Sequence, residues 1–460
     1  MSNLQLLKGC ELHVHAAGCL YPDDLLSLAK DYYREIDWER YIEQYEAAYG
    51  VRPDPRRMFE EALATDSWPN NNWPSGHSTY EQFHEAVVYG AADGGDFGRF
   101  TAKIGLIGAI YVHYRTILKR EDEVMAQIID RHRSEGVDFV EYRAGPGNAA
   151  EDPEGFLTFH RRHAQAIASA SGNGITARYM PSIPRDAPLI GYELIQRLFD
   201  ENPETIPVTT GIDFCAVEEG YPPSTVHALF KRLHKENAAS PERALDVGYH
   251  VGESYFDKSL ESAVRWCHEV AEMGAKRLGH ATALGLDPAV AIGRRLQAHE
   301  AEFVSERLAQ INYDLTHREA LAEYGVTIDV AALEKEGNQL QKMAADELVS
   351  APYSPARLAD VRRRQDYVLD QLPALGTVIE TCPTSNLRIG GVPSPADHPI
   401  HRLLRSNVNL AICADDPGLF DSPLSAEIDW VLQHTGLSPD ALLARLGDPR
   451  RFRFGQLRPA

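Results

Sequence analysis

His13 and His15 flank a single valine in ELHVH. Side chains on a strand alternate between its two faces, so such a pair puts both imidazoles on one side, where they can chelate one ion. Taken alone, the pair could equally be a surface feature. In YHVGES, His250 ends an apolar run and Glu253 follows across Gly252. A third neutral imidazole suits a borderline-soft cation such as zinc, and Glu253 can stand beside that ion without ligating it, or simply cap the next helix. KRLGHAT places His280 after another apolar run, and ICADDPG places Asp415 and Asp416 after the last. Adjacent carboxylates are costly to bury without a cation or hydrogen-bond donors, although acids ahead of Pro-Gly also form turns. Each element is ambiguous alone. Three histidine elements and an acid pair, each ending a separate strand, describe a metal site better than they describe packing.

The elements that must bring these residues together alternate short β-rich runs with longer helical segments, the pattern of repeated βα units. Eight runs read as strands: Cys10–His15, Asp138–Arg143, Thr176–Met180, Val208–Phe214, Asp246–His250, Arg277–His280, Thr377–Thr381 and Val408–Ala414. Most are continuously apolar and end in polar residues, as parallel strands covered on both faces do. The expected fold is an α/β (β/α)₈ TIM barrel, a single domain over residues 1–460, with its polar residues at the strands' C-terminal ends, where barrel sites lie. Two stretches exceed simple connections and read as mainly helical insertions. Asp31–Ile104 carries a tract around Trp68, Asn70 and Trp73 followed by STYEQFHEAV, and its place after the first strand suits a lid. Glu302–Gln371 is highly charged. Within it Ser354–Pro355 reads as a helix start, and Leu358, Val361, Val368, Leu369 and Leu372 recur near helical spacing, so this face should pack on the barrel or a sister subunit.

Composition excludes several classes of function. A net charge of −21 over 460 residues is poorly suited to a long nucleic acid, whose phosphates are captured by clustered Lys and Arg, yet one local cation could still hold a single phosphate. The six cysteines are scattered, as free thiols in a reducing compartment are. Neither a signal-type N-terminus nor an apolar run of ~18 residues is present, so no membrane and a cytoplasmic location are expected. His77, His84, His113, His132, His160 and His163 lack mutual ligand spacing and read as ordinary residues, while Arg143, Arg185 and Arg388 read as salt-bridging groups of the barrel mouth.

HVHAAG, GIDFCAVEE, HVGE, LGHA, ETCPTSN and ADDPGLF, in this order from first strand to last, resemble the adenosine deaminase family of the amidohydrolase superfamily. The resemblance spans the barrel and leaves the two insertions aside. It implies one Zn²⁺ held by His13, His15, His250 and Asp415, which lowers the pKa of a water toward ~7. It further implies attack on the amino-bearing carbon of a purine, with Glu253 protonating the adjacent ring nitrogen and helping ammonia leave. His280 would orient or deprotonate the water, and Asp416 would hold both ring and water. The implied substrate is an adenine nucleoside or its 5′-monophosphate, contacted by Ala17, Asp213, Ala216 and Asp416. A different ring amine, or a catalytically silent nucleotide-binding barrel, is the alternative.

Three positions depart from the family's pattern. Ala17 stands where an acid usually meets the ribose 5′-hydroxyl, which removes repulsion against a phosphate and favours a larger or anionic group there, with Arg185 or a residue of the first insertion as its cation. Ala216 and Ala281 stand where glycines are usual, so the pocket should be reshaped on more than one side.

Overall fold

The computed structural model describes residues 3–64, 79–145, 148–254, 257–294, 301–390 and 392–458. Trp68, Asn70, Trp73 and His77 lie outside them. Eight parallel strands surround the molecular axis: β1 (Cys10–His15), β2 (Phe139–Ala144), β3 (Thr176–Pro181), β4 (Gly211–Ile212), β5 (Asp246–Val251), β6 (Arg277–His280), β7 (Val378–Thr381) and β8 (Asn409–Ile412). They form two arcs, β1-β2-β3 and β8-β7-β6-β5-β4. Isolated parallel bridges join the arcs at both seams, Val14 with Asp415 on one side, and Tyr179 with Thr209 and Ser182 with Asp213 on the other. The result is the (β/α)₈ barrel.

Seven strands match their expected spans to within a few residues. The fourth does not: of Val208–Phe214 only Gly211–Ile212 is regular. Thr209 and Asp213 make single bridges to β3 instead of a ladder, and a side chain at Gly211 would strike the Phe454 ring at 2.4 Å. Helices cover the barrel, several of them started by a side chain that accepts an N–H of the first turn: Asp152 for Pro153–Ala170, Ser259 for Leu260–Glu272 and Ser354 for Pro355–Gln371.

The 31–104 segment contains the helices Glu39–Tyr49, Pro55–Leu63 and Thr79–Val87 and the start of Phe97–His113, held by an aromatic cluster in which Phe59 stacks on Trp38 at 5.4 Å and meets Phe83 edge-on at 5.0 Å. In the 302–371 segment, Val304–Thr316 and Val330–Leu340 share a small apolar cluster of Val304, Ile311 and Leu340, beside an antiparallel ribbon of Ala301–Phe303 with Leu348–Ser350. Pro355–Gln371 differs from the rest of that segment. Val361, Val368, Leu369 and Leu372 are buried in the main core, so this helix is the barrel's own cover between β6 and β7, and the inserted material ends before it. Among the described residues no helix is long and apolar enough to cross a membrane, and all six cysteines are buried and unpaired.

The barrel end remote from the histidines is closed by the chain's last described residues. Arg458 donates to the carbonyls of Ile206, Thr209 and Ala244, and Gly455 N–H donates to Asp246 at 2.9 Å. Phe454 N–H donates to Glu141 at 2.8 Å while its ring lies 3.7 Å from the Arg277 guanidinium. Phe454→Ala should therefore cost about 3 kcal/mol, the lower end for emptying a buried phenylalanine site, and lower the thermal midpoint. An unchanged midpoint would show that the ring does not brace the floor.

Candidate functional site

The barrel interior is ionic. Glu11, Glu141, Arg143, Asp213, Arg277 and Glu380 are all completely buried. Charges so buried persist only when paired, and here Glu141, Arg143, Asp213, Arg277 and Glu380 form one lattice. Arg277 bonds Glu141 at 2.5 Å and Glu380 at 3.0 Å. Arg143 bonds Glu380 at 2.5 Å and faces Asp213 at 3.5 Å. Glu11 accepts the N–H of His13 and of Ala414, tying the first strand to the segment after the last, and burial pushes its carboxyl up to about 8.

Above this lattice the histidines converge. Glu380 lies 2.9 Å from His13 Nδ1 and Asp213 lies 3.2 Å from His250 Nδ1. Glu380 accepts from His13 Nδ1–H and so aims that ring's Nε2 lone pair inward, while Asp213 faces the Nδ1 side of His250 at ion-pair distance. Arg143 also comes within 2.8 Å of His13 Nδ1, but a guanidinium cannot accept, so the carboxylate is the partner that sets the tautomer. Asp415 Oδ1 is 3.3 Å from His13 Nε2 and 3.2 Å from His15 Nε2, and His250 Nε2 is 3.3 Å from His15 Nε2. These separations match the edge of a tetrahedron of ~2.0–2.1 Å zinc bonds, about 3.3 Å. His13 Nε2 is buried without a hydrogen-bond partner. Charge agrees with geometry. Arg143 holds Asp213 and, together with Arg277, Glu380 ionised against burial, and His13 and His15 do the same for Asp415, so the histidines stand among carboxylates suited to a cation. Burial, with Arg143 adding, pulls His13 down, and burial pulls His250 well down, both toward the neutral form a metal requires. For His15, burial opposes the charge, yet Asp415 and Asp416 push it up to about 9.

His280 stands beside this set. Its Nδ1 is 3.0 Å from Asn386 Oδ1, and its Nε2 is 3.6 Å from Glu253 and 3.9 Å from Asp415. The Glu253 loop is held by Glu218, which accepts Gly252 N–H at 3.1 Å and Glu253 N–H at 3.3 Å. Asp416 reaches the cavity because Gly18 has no side chain: a Cβ there would lie 1.7 Å from its Oδ1. Burial, and then Asp415, push the Asp416 carboxyl up to about 7. The cavity measures about 450 Å³ and exposes His15, His250, Glu253, His280, Asp415 and Asp416.

Several expectations need correction. Asp213 is not on the cavity wall; it lies beneath the histidines. Ala216 is on the wall with φ 67°, and Ala281, at φ 46°, is buried in the core away from it. Both hold the left-handed conformation that glycine adopts freely and that costs other residues roughly 1–2 kcal/mol, so Ala281 strains the backbone rather than reshaping the pocket. Arg143 does form salt bridges, but Arg185 and Arg388 do not: Arg185 donates to the carbonyls of Phe214, Cys215 and His250, and Arg388 to those of Tyr89 and Phe420. Arg185 uses Nε and Nη2 on these carbonyls, leaves its buried Nη1 without a partner among the described residues, and does not line the cavity. Glu218, Glu380 and Asn386 stood inside quoted motifs without a role. Of the histidines read as ordinary, His84 pairs with Asp421 and His132, His160 and His163 meet tyrosine hydroxyls.

Residues 107–447 match the family model of adenosine deaminase. The curated relatives match over short segments, and the chain spans about a quarter of their length; an adenine deaminase of Rhizobium leguminosarum bv. trifolii is 37% identical over 86 residues, 18% of this chain and 27% of that protein. Among solved structures, the N6-methyl-AMP deaminase of Arabidopsis thaliana superposes with a TM-score of 0.53 at 17% identity, covering 98% of this chain and 93% of that one. An amidohydrolase from Burkholderia ambifaria with bound Zn gives 0.50 at 14% identity, covering 98% and 87%.

Asp213→Asn should leave His250 poorly oriented and weaken zinc binding about 10- to 100-fold, measured by competition with a chromogenic chelator. Unchanged affinity would remove Asp213 from the support of the site.

Proposed function

The chain belongs to the adenosine deaminase family, and on that premise we propose that it hydrolyses the exocyclic C–N bond of an adenine-type compound, with release of ammonia, at a zinc centre of His13, His15, His250 and Asp415. The observation that carries this reading is the set of donor separations of 3.2–3.3 Å with the Glu253–His280 pair at 3.6 Å beside it. When bound there, zinc supplies hydroxide at neutral pH by lowering the pKa of water.

The chain's own residues supply the rest. Glu253 is held by its backbone, so its carboxyl can hold a proton at the ring nitrogen next to the reacting carbon and later pass it to the leaving amine. Asn386 accepts from His280 Nδ1 and leaves Nε2 to accept a proton from the attacking water. Asp416 faces the same cavity, where its carboxyl can bond the purine's imidazole-side nitrogen. Ala216, on the cavity wall, can offer its backbone N–H to the base, with a methyl group where the family usually has none. A silent binding barrel has no need of Glu218 clamping two consecutive N–H groups to fix Glu253.

Within the adenine class the wall favours an uncharged substrate over a 5′-monophosphate. Arg143 is the one described Lys or Arg on it, and Glu380 and Asp213 already claim that guanidinium. Glu218 and Glu219 add negative charge to the same wall.

The test is ammonia release and loss of adenine absorbance across adenine, adenosine, deoxyadenosine and their phosphates, in wild type and Glu253→Gln. The variant should keep zinc and fold and lose about 10²–10⁴-fold in turnover. A rate within a few-fold of wild type would sink the role of Glu253, and inactivity of the wild type on every adenine compound would sink the reaction.

A further inference from the structure

The cavity divides by origin. Its chemistry-bearing side chains come from the ends of β1, β5, β6 and β8. The same cavity is also lined by Phe97, Phe100 and Ile104 of the helix Phe97–His113, which lies between β1 and β2, with Ile389 and Ala17. This part of the wall offers no hydrogen-bonding side chain.

Three observations say what it would hold. Phe97 and Phe100 stack at 5.5 Å with planes 27° apart, and Phe97 remains 53% exposed while Val217, also on the wall, is 50% exposed. Large apolar side chains left open at the mouth of a cavity mark a ligand surface. Among the described residues, cations other than Arg143 do not line this cavity: Lys258 pairs with Asp257 at 2.6 Å and Glu218 at 3.5 Å, Lys103 pairs with Asp93 at 2.7 Å, and Arg185 and Arg388 donate to carbonyls off the wall. Outside the described residues, 65–78, 146–147, 255–256 and 391 contain neither lysine nor arginine, while 295–300 contains Arg295. Finally, a volume of about 450 Å³ lies within the ~300–1,000 Å³ that house drug-sized ligands, more than a purine ring needs.

We infer that this site takes an adenine derivative whose sugar-side substituent ends in an apolar alkyl, thioether or aryl group, seated against Phe97, Phe100 and Ile104, and that it discriminates against a phosphate there. The inference rests on the deaminase reading for the orientation of the base, because an amino group presented to the zinc centre sends the other end of the molecule toward this wall.

The experiment measures kcat/KM of the zinc-loaded enzyme for adenosine, its 5′-monophosphate, and 5′-deoxyadenosines bearing methylthio or phenylthio groups. The thioethers should exceed adenosine by about tenfold, the scale of one added methylene in an apolar pocket, and the monophosphate should fall below adenosine. Phe100→Ala should lower the thioether-to-adenosine ratio. A monophosphate equal to or better than adenosine, thioethers no better than adenosine, or a ratio indifferent to Phe100→Ala would overturn the inference. Calorimetric binding of the methylthio compound and of the monophosphate to Glu253→Gln separates the two readings. Tighter binding of the thioether without turnover in the wild type would keep the apolar pocket and discard the deaminase, whereas turnover with tighter phosphate binding would do the reverse.

Discussion

One buried guanidinium organises the centre of this molecule. Arg143 on β2 bonds Glu380 on β7 and faces Asp213 beyond β4, and these two carboxylates orient His13 on β1 and His250 on β5. Five βα units are thereby held to one another through a single side chain. Buried ions cost several kcal/mol each to desolvate, and losing one partner of such a pair typically costs about 3–5 kcal/mol. The lattice therefore supplies little net stability. What it supplies is position: two imidazoles whose ring planes are fixed before any cation arrives.

The same electrostatics shape what surrounds the centre. Asp415, Asp416, Glu253, Glu218 and Glu219 all line the cavity, which is therefore rich in carboxyl groups and suits a cation better than a second anion. The apolar part of the wall is aromatic and aliphatic, and it comes largely from the segment between β1 and β2. Strand ends and that segment thus divide the work, the one providing reacting groups and the other a surface that is sensitive to whatever hangs from the base.

Much of this was legible in the sequence because strand ends announce themselves. His13, His15, His250, His280, Asp415 and Asp416 each follow a short apolar run, and strand periodicity with barrel topology sends all six to one place. What could not be read were pairings between strands distant in sequence. Glu380 and Asp213 sit under different histidines, and nothing local says which. Yet a signal existed: Glu141, Arg143, Arg277 and Glu380 interrupt otherwise apolar strands, and an ion in a strand covered on both faces must point into the barrel and meet a partner. The family resemblance puts Asp213 and Ala216 of one motif together at the substrate, whereas of the two only Ala216 lines the cavity. Length alone sets the Glu302–Gln371 segment apart as an insertion, and length does not show where inserted chain ends and the barrel's own helix Pro355–Gln371 begins.

The seam between β1 and β8 has a consequence for how the protein is made. Glu11 bonds the N–H of Ala414 across a sequence separation of 403 residues, and the donor set draws His13 and Asp415 from the two sides of that seam. A chain emerging from the ribosome therefore carries its first two imidazoles long before their carboxylate exists. Contacts of such separation are slow to form because the loop entropy falls due first. A cation that required all four donors would accordingly find them only after the ring had closed: an incomplete barrel presents a few loose histidines, and only the closed one presents a cage.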